Sequence, residues 1–182
     1  MSARNTRIMK ARTPQDSLAI LTEIVLPNDT NNLNNLMGGR LLHWMDIACA
    51  ISAHRHCKRI VVTASVNNVS FNHAIPQGAI VTLEAKVSRA FSSSMEVFCD
   101  VWVEDNNNPD TKTKANEAIY TFVAVDQLGN PIQVPALDPQ TDLEKERFDG
   151  ALRRRQLSLI LSGKMNPDDA TELKALFAPE AD

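Results

Sequence analysis

The residues best suited to chemistry in this chain stand in one segment, where a glycine pair is followed by a single acidic side chain. Gly38 and Gly39 precede a mostly apolar run, residues 41–53, whose one acidic residue is Asp46. A carboxylate buried without a partner is costly, so a fold rarely keeps one unless the group has a task. Asp46 is therefore a candidate to activate water as a general base, or to attack directly as a nucleophile. Alternatively, it is held by a neighbouring backbone N–H group or reaches the surface.

The glycine pair offers a second part of such a site. A helix that begins at Gly38 and Gly39 presents unpaired backbone N–H groups and the positive end of its dipole, and no side chain blocks approach. We expect the N–H group of Gly39 or of Arg40 to polarise a substrate carbonyl. Asp46 follows Gly39 by about 10 Å along the helix axis, at nearly the same azimuth. The other interpretation is that the glycines form only a hinge.

A polar segment before this helix supplies a third candidate. Asn31 ends the sequence Pro-Asn-Asp-Thr-Asn at residues 27–31. Asparagine is common in turns because its side chain bonds to nearby backbone groups. At this place its amide would also be able to orient a water molecule or to donate a second hydrogen bond to an oxyanion.

Other polar residues of the region are weaker candidates. His43 precedes Asp46 by one helical turn, which permits an Asp–His relay, but we interpret it as structural. His54, His56 and Cys57 have a spacing that fits no familiar zinc site, and cations are favourable at a helix C-terminus. We therefore expect no metal site.

Hydrophobic patterning predicts the elements that position these residues. A short apolar strand is predicted at residues 18–26, and a helix that is apolar almost all round at 38–56. Four further strands are predicted at residues 60–71, 80–88, 93–104 and 115–126, the last after a polar loop at 105–110. One buried helix and one antiparallel sheet pack best when the sheet curls around the helix, so an α+β fold is predicted.

The chain changes character after residue 126. Glycine and prolines indicate an irregular linker, followed by a mixed-charge helix at residues 141–162 and a short helix that begins near Asn166. We predict an N-terminal arm at 1–15, one domain at 16–126, and a linker with a C-terminal helical extension at 127–182.

Bulk properties narrow the class of protein. The chain has 182 residues, 43% of them hydrophobic, and a formal net charge of only −3. We therefore expect neither nucleic-acid nor membrane binding, and no apolar run reaches the about 20 residues of a membrane span. Three cysteines without close pairing indicate no disulfide framework and favour a cytoplasmic location.

Taken in order, these segments resemble the hotdog-fold acyl-CoA thioesterases, in the group that contains brain acyl-CoA hydrolase and small bacterial acyl-CoA thioester hydrolases. The resemblance covers residues 16–126. It rests on the segments 27–31 (PNDTN), 38–39 (GG), 44–46 (WMD), 55–58 (RHCK), 62–66 (VTASV) and 93–97 (SSMEV), with Phe71 and Gly78. One departure is Asn34, where the family often has glycine. Asparagine tolerates the left-handed conformation that glycine permits.

The resemblance implies a single hotdog domain, a five-stranded antiparallel sheet around one long central helix, that hydrolyses acyl-CoA thioesters. It further implies that Asn31 and Asp46 form the catalytic pair and come from opposite subunits of a homodimer. A homohexamer, a trimer of dimers, is common in the group. No cofactor is expected, because CoA is part of the substrate and product.

The same likeness suggests which residues hold CoA. The candidates are Thr63 and Ser65 on one strand, the serines at the start of another (Ser92, Ser93 and Ser94), and Arg89. Arginine suits phosphate because it binds in a bidentate manner. Two alternatives stay open: a catalytically silent hotdog protein that binds acyl-CoA for regulation, and a hotdog dehydratase, against which the lack of a histidine motif at the helix entry counts.

Overall fold

The computed structural model describes residues 9–67, 69–71, 73–105 and 108–177, with the backbone alone at 105 and 108–110. The chain divides into two compact units, Met1–Asp138 and Pro139–Asp182. Residues 1–8 of the predicted N-terminal arm lie outside the described residues. The predicted domain limits stay a prediction.

The first unit is a five-stranded antiparallel sheet with one long helix. The helix is α1, Gly38–Cys57. The strands are β1 (Ala19–Ile24), β2 (Ile60–Asn67), β3 (Ile80–Ala90), β4 (Ser94–Asp105) and β5 (Asn108–Val125), in the spatial order β1-β3-β4-β5-β2. The predicted hotdog architecture is confirmed, with β1 and β2 at the two edges of the sheet.

The core lies between α1 and the inner face of the sheet. One stripe of α1 is fully buried, at Leu41, Met45, Ala48 and Cys49. Alternate side chains of β3 and β4 face it and are equally buried: Val81, Leu83, Ala85, Val87, Met95, Val97, Cys99 and Val101. Period-2 alternation on the strands and one helical stripe thus produce a continuous apolar core.

A single chain does not enclose α1 completely, although the sequence predicts a fully enclosed helix. Ile47 and Ile51 are 38% and 40% exposed on the helix face away from the core. On the neighbouring edge strand β2, Val62 and Val66 are similarly exposed. An apolar strip that covers adjoining parts of a helix and a strand is typical of an interaction surface.

Two predicted element limits are wrong. The polar loop expected at residues 105–110 is instead largely paired, since β4 reaches Asp105 and β5 begins at Asn108. Backbone pairing does not require apolar side chains, so a polar stretch can continue a hairpin. Residues 106 and 107 lie outside the described part. Strand β2 ends at Asn67 rather than at residue 71.

The segment after β5 folds back onto the first unit. The Ile132 N–H donates to the Ala124 carbonyl at 2.9 Å, and the Val134 N–H donates to the Ser92 carbonyl at 3.0 Å. Farther along, the Asp138 N–H donates to the Arg12 carbonyl at 2.8 Å. Backbone hydrogen bonds therefore tie residues 132–138 to β5, to the turn before β4 and to the segment before β1.

The second unit contains the two C-terminal helices that the sequence predicts. Helix α2 spans Asp142–Leu161 and begins with a capping box between Thr141 and Glu144. Helix α3 spans Thr171–Ala175, and its Leu173 N–H donates to the Gln156 side chain at 2.8 Å. None of the helices in the described part of the chain is long and apolar enough to cross a membrane.

A buried histidine at the end of α1 predicts acid sensitivity. Burial lowers the pKa of His56, whose Nε2 lies 2.8 Å from the Pro135 carbonyl; Asp16 opposes this shift and Arg12 reinforces it. Because the folded pKa is below the unfolded one, the unfolded state binds more protons as the pH falls below about 6.5. We expect the free energy of unfolding to fall as the pH is lowered from 7.5 to 5.5.

Urea unfolding at several pH values measures this effect in wild type and His56→Gln. The variant should lose most of the acid dependence attributed to His56. His54→Gln, which changes an exposed histidine on the same helix, should retain it. Equal acid dependence in wild type and His56→Gln would contradict the prediction.

Candidate active site

The loop before α1 fixes the side chain of Asn31. Its Oδ1 accepts hydrogen bonds from the N–H groups of Leu33 at 2.9 Å and Asn35 at 3.2 Å. The turn is closed by Asn34, whose φ of 57° lies in the left-handed region that asparagine tolerates. Because two backbone donors occupy Oδ1, the Nδ2 amide is the group that Asn31 offers to a ligand.

The start of α1 distinguishes between the two predicted oxyanion donors. The Arg40 N–H donates to the Met37 carbonyl at 3.0 Å, so it is already engaged. The Gly39 N–H makes no hydrogen bond to any of the described residues. A Cβ atom placed on Gly39 would meet nothing within 4 Å, so the backbone is open to approach. Gly39 is therefore the better donor of the two.

A cavity of about 300 Å³ joins the loop to the helix start. It is lined by Asn31, Asn35, Leu36, Gly38, Leu41, Phe71, His73, Ala74, Ile75 and Asn116. The Phe71 ring lies so close to Gly38 that an added Cβ would be only 3.1 Å from it. Glycine at this position therefore lets the aromatic ring form one wall of the cavity.

Asp46 is held by a hydroxyl group from the neighbouring strand. The Thr63 Oγ1 on β2 donates to the Asp46 Oδ1 at 2.8 Å, and the carboxylate is half-buried. The register of β2 against β5 shifts between Thr63 and Ser65, which marks a local bulge directly after this contact. Bulges commonly re-aim a side chain beside a functional site.

Two ionisable groups that interact electrostatically with Asp46, Tyr120 on β5 and Cys49 on α1, are both held protonated. The Tyr120 hydroxyl donates to the Leu42 carbonyl at 3.0 Å, and burial raises the pKa of Tyr120, which keeps the phenol protonated. Burial likewise raises the pKa of the Cys49 thiol well above its ordinary value. A protonated, buried thiol is a poor nucleophile. Neither group therefore competes with Asp46 as the candidate for the reactive residue.

The predicted CoA-binding residues lie on β2, on β3 and at the start of β4, and β5 separates those on β2 from the others. Ser94 on β4 pairs with Val123 on β5, and Val123 in turn pairs with Val62 on β2. The serine turn is therefore two strand spacings, about 10 Å, from the Thr63 and Ser65 segment. Ser92 is exposed, Ser93 is half-buried and Ser94 is buried. The Arg89 guanidinium lies 5.8 Å from the centre of the Phe91 ring.

The structure brings some predicted residues together and leaves others apart. Asn31 lines the same cavity as Gly38, next to Gly39, whereas Asp46 does not line it and instead contacts Thr63. Sequence reasoning assigned Thr63 to CoA binding and missed its bond to Asp46. That bond joins residues of different elements, and no local sequence signal indicates it.

Comparison with known proteins identifies the family. Residues 33–109 match the model of the thioesterase superfamily. An acyl-CoA thioester hydrolase of Bacillus subtilis, itself uncharacterised, is 39% identical over 154 residues, which are 85% of this chain and 86% of the relative.

Solved structures agree with this assignment. The acyl-CoA hydrolase of Staphylococcus aureus, in complex with butyryl-CoA, CoA and CoA disulfide, is 35% identical with a TM-score of 0.78, over 85% of this chain and 95% of that one. A hexameric acyl-CoA thioesterase without ligand is 35% identical with a TM-score of 0.77, over 81% of this chain and 94% of that one. Together with the fold and the matching motif segments, these similarities show that the chain belongs to the thioesterase superfamily, in the group of hotdog acyl-CoA thioester hydrolases.

Proposed function

We propose that this protein hydrolyses acyl-CoA thioesters to a free fatty acid and CoA, with Asn31, Asp46 and Thr63 as site residues. The observation that carries the proposal is the spacing of these three residues. Structures of the Staphylococcus aureus hydrolase include three alanine variants, in which an asparagine, an aspartate or a threonine is replaced. These three residues have the same separations along that chain as Asn31, Asp46 and Thr63 have here. In the present chain, Asp46 and Thr63 are joined by a 2.8 Å hydrogen bond.

In the proposed reaction, the thioester carbonyl lies at the beginning of α1. The Gly39 N–H and the Asn31 Nδ2 donate hydrogen bonds to the oxygen as it gains negative charge. Asp46 removes a proton from a water molecule that attacks the carbonyl carbon, and the carbon–sulfur bond then breaks to release CoA as thiolate. Direct attack by Asp46, which would form a mixed anhydride, is the alternative chemistry.

Thr63 orients the carboxylate in this scheme. Its hydroxyl donates to Oδ1 of Asp46 and leaves Oδ2 for the water molecule. We place CoA across this side of the sheet, where Ser65 on β2, Arg89 on β3 and the serine turn Ser92–Ser94 offer polar groups. The arginine side chain suits the phosphate groups of CoA.

The proposed active unit is a homodimer, and the proposed assembly is a trimer of dimers. Within one chain, Asn31 lines a cavity from which Asp46 is absent. The exposed apolar strip formed by Ile47, Ile51, Val62 and Val66 adjoins Asp46 and Thr63 on the same two elements, α1 and β2. A second copy on this strip would add its own loop to the site. The hexameric thioesterase of similar fold agrees with the larger assembly.

We also propose a cytoplasmic location. All three cysteines, Cys49, Cys57 and Cys99, are free and buried. Unpaired buried thiols are typical of proteins in reducing compartments.

The test of the function is thiol release from a panel of saturated acyl-CoAs of increasing chain length, followed with a disulfide reporter. Hydrolysis of at least one of them supports the proposal, and the panel ranks the substrates. Saturable CoA binding without thiol release at any chain length would instead favour an acyl-CoA-binding regulator.

A variant at Thr63 tests the orientation of Asp46. Thr63→Val preserves shape but removes the hydroxyl donor, so we expect kcat to fall about tenfold because a hydrogen bond to a charged group is lost. Thr22→Val is the matched control. Thr22 lies on β1, at the opposite edge of the sheet, and hydrogen-bonds to Thr82 on β3, so its replacement should leave kcat unchanged. Full activity of Thr63→Val would remove Thr63 from the mechanism.

A further inference from the structure

A partly buried ion pair connects the loop before α1 to the first turn of the helix. Asp29, in the loop before α1, is only 3% exposed. Its Oδ1 accepts a hydrogen bond from Nε of Arg40, in the first turn of α1, at 2.5 Å. Arg40 is partly exposed, with 38% of its side chain accessible.

Asp29 makes two further bonds that connect the same two parts of the chain. Its Oδ2 accepts from the Leu26 N–H at 3.1 Å, and its backbone carbonyl accepts from the Met37 N–H at 2.9 Å. One residue therefore ties together the start of the loop, the residue before α1 and the first turn of the helix. Asn31 is two positions along from Asp29, and Gly39 directly precedes Arg40. Both proposed oxyanion donors are thus attached to this ion pair.

The pair also affects the charge at the helix start. An unpaired carboxylate at Asp29 would oppose negative charge that develops on a substrate oxygen near the Gly39 N–H. The Arg40 guanidinium neutralises the carboxylate and satisfies one of its two oxygens. The pairing consequently leaves the positive character of the helix N-terminus intact.

We propose that Asp29 and Arg40 are positioning residues, which hold Asn31 and Gly39 at the spacing that the thioester oxyanion requires. The inference rests on the proposed function. It also assigns the Arg40 side chain a task, whereas the sequence predicts a role only for the Arg40 backbone N–H group. A small displacement of catalytic groups costs on the order of 100-fold in rate. Loss of the pair therefore reduces kcat and leaves the affinity for CoA unchanged.

The experiment compares Arg40→Gln, Arg40→Lys, Asp29→Asn and the double variant Asp29→Asn/Arg40→Gln. We expect kcat to fall 10- to 100-fold in Arg40→Gln and Asp29→Asn, with less loss in Arg40→Lys, which retains the charge. Because the two residues act as a unit, kcat of the double variant should be no lower than kcat of the less active single variant. The double variant also avoids an unpaired buried charge, so it folds if either single variant does not. Additive losses in the cycle would overturn the proposal.

Two substrates separate positioning from phosphate binding: an acyl-CoA, and the matching acyl-N-acetylcysteamine thioester, which lacks the nucleotide and all phosphates. A positioning role predicts the same fold-loss of kcat on both substrates and an unchanged inhibition constant for free CoA. A loss confined to acyl-CoA and expressed in KM and in the inhibition constant would overturn the proposal in favour of phosphate contact.

Control measurements make the two possible failures distinguishable. Asp168→Asn breaks an exposed ion pair with Lys174 in the second unit, and it should leave the activity on both substrates unchanged. Wild type that hydrolyses neither substrate would refute the proposed function. Wild-type activity that is unchanged in Arg40→Gln and Asp29→Asn would refute the positioning role alone.

Discussion

Replacement of Asp46 by asparagine is expected to reduce kcat on the order of 10³-fold while the protein stays folded. Asparagine has nearly the shape of aspartate, and its Oδ1 can still accept the hydrogen bond from Thr63. It cannot, however, accept a proton from water at neutral pH. The expected change is therefore chemical, and KM should move much less than kcat, as for a group that acts in the transition state.

The measurement is steady-state hydrolysis of the best acyl-CoA of the panel, with purified wild type, Asp46→Asn and the control Asp168→Asn. Thermal unfolding of the same samples checks that the midpoint of Asp46→Asn stays close to that of wild type. Activity of a folded Asp46→Asn within threefold of wild type would exclude the carboxylate from the chemistry. Asn31 and Gly39 would then still bind the oxyanion, but another group would have to activate the water molecule.

The architecture could be predicted because its main signals are local. Inward-facing side chains are indicated by the alternation on the strands and by the apolar run that follows Gly38 and Gly39. The helix α1 ends at Cys57, one residue beyond the predicted end. The polar start of β5 could not be predicted in this way. It pairs with β4 through backbone hydrogen bonds, and these require no particular pattern of side chains.

The chemical groups of the site were also accessible from sequence, but their partners were not. Asp46 is conspicuous as the one carboxylate in an apolar run, whereas its partner Thr63 lies on another element and meets it only after α1 packs beside β2. The burial of Asp29 is equally non-local, since it requires the loop to close against the first turn of α1 through Arg40. Residue types therefore indicate which groups react, and packing decides what holds them.

Mixed assemblies of two inactive variants are expected to regain activity. If each site takes Asn31 from one subunit and Asp46 from its partner, a dimer of one Asn31→Ala chain and one Asp46→Asn chain contains one site with both native residues. Its other site contains both replacements. Random pairing of equal amounts makes half of the dimers mixed, so about a quarter of wild-type kcat per chain should return.

Co-expression of the two variants with different tags, and quantification of each chain in the purified assembly, provides the measurement. A mixture of Asp46→Asn with Asp46→Ala is the matched control, because no pairing of these chains restores an aspartate, and it should stay inactive. Mixed Asn31→Ala and Asp46→Asn chains that remain inactive after verified co-assembly would place both residues of a site within one chain. In that case Asp46 would have to reach the cavity beside Asn31 by a rearrangement that breaks its bond to Thr63, and Thr63→Val would then raise the activity rather than lower it.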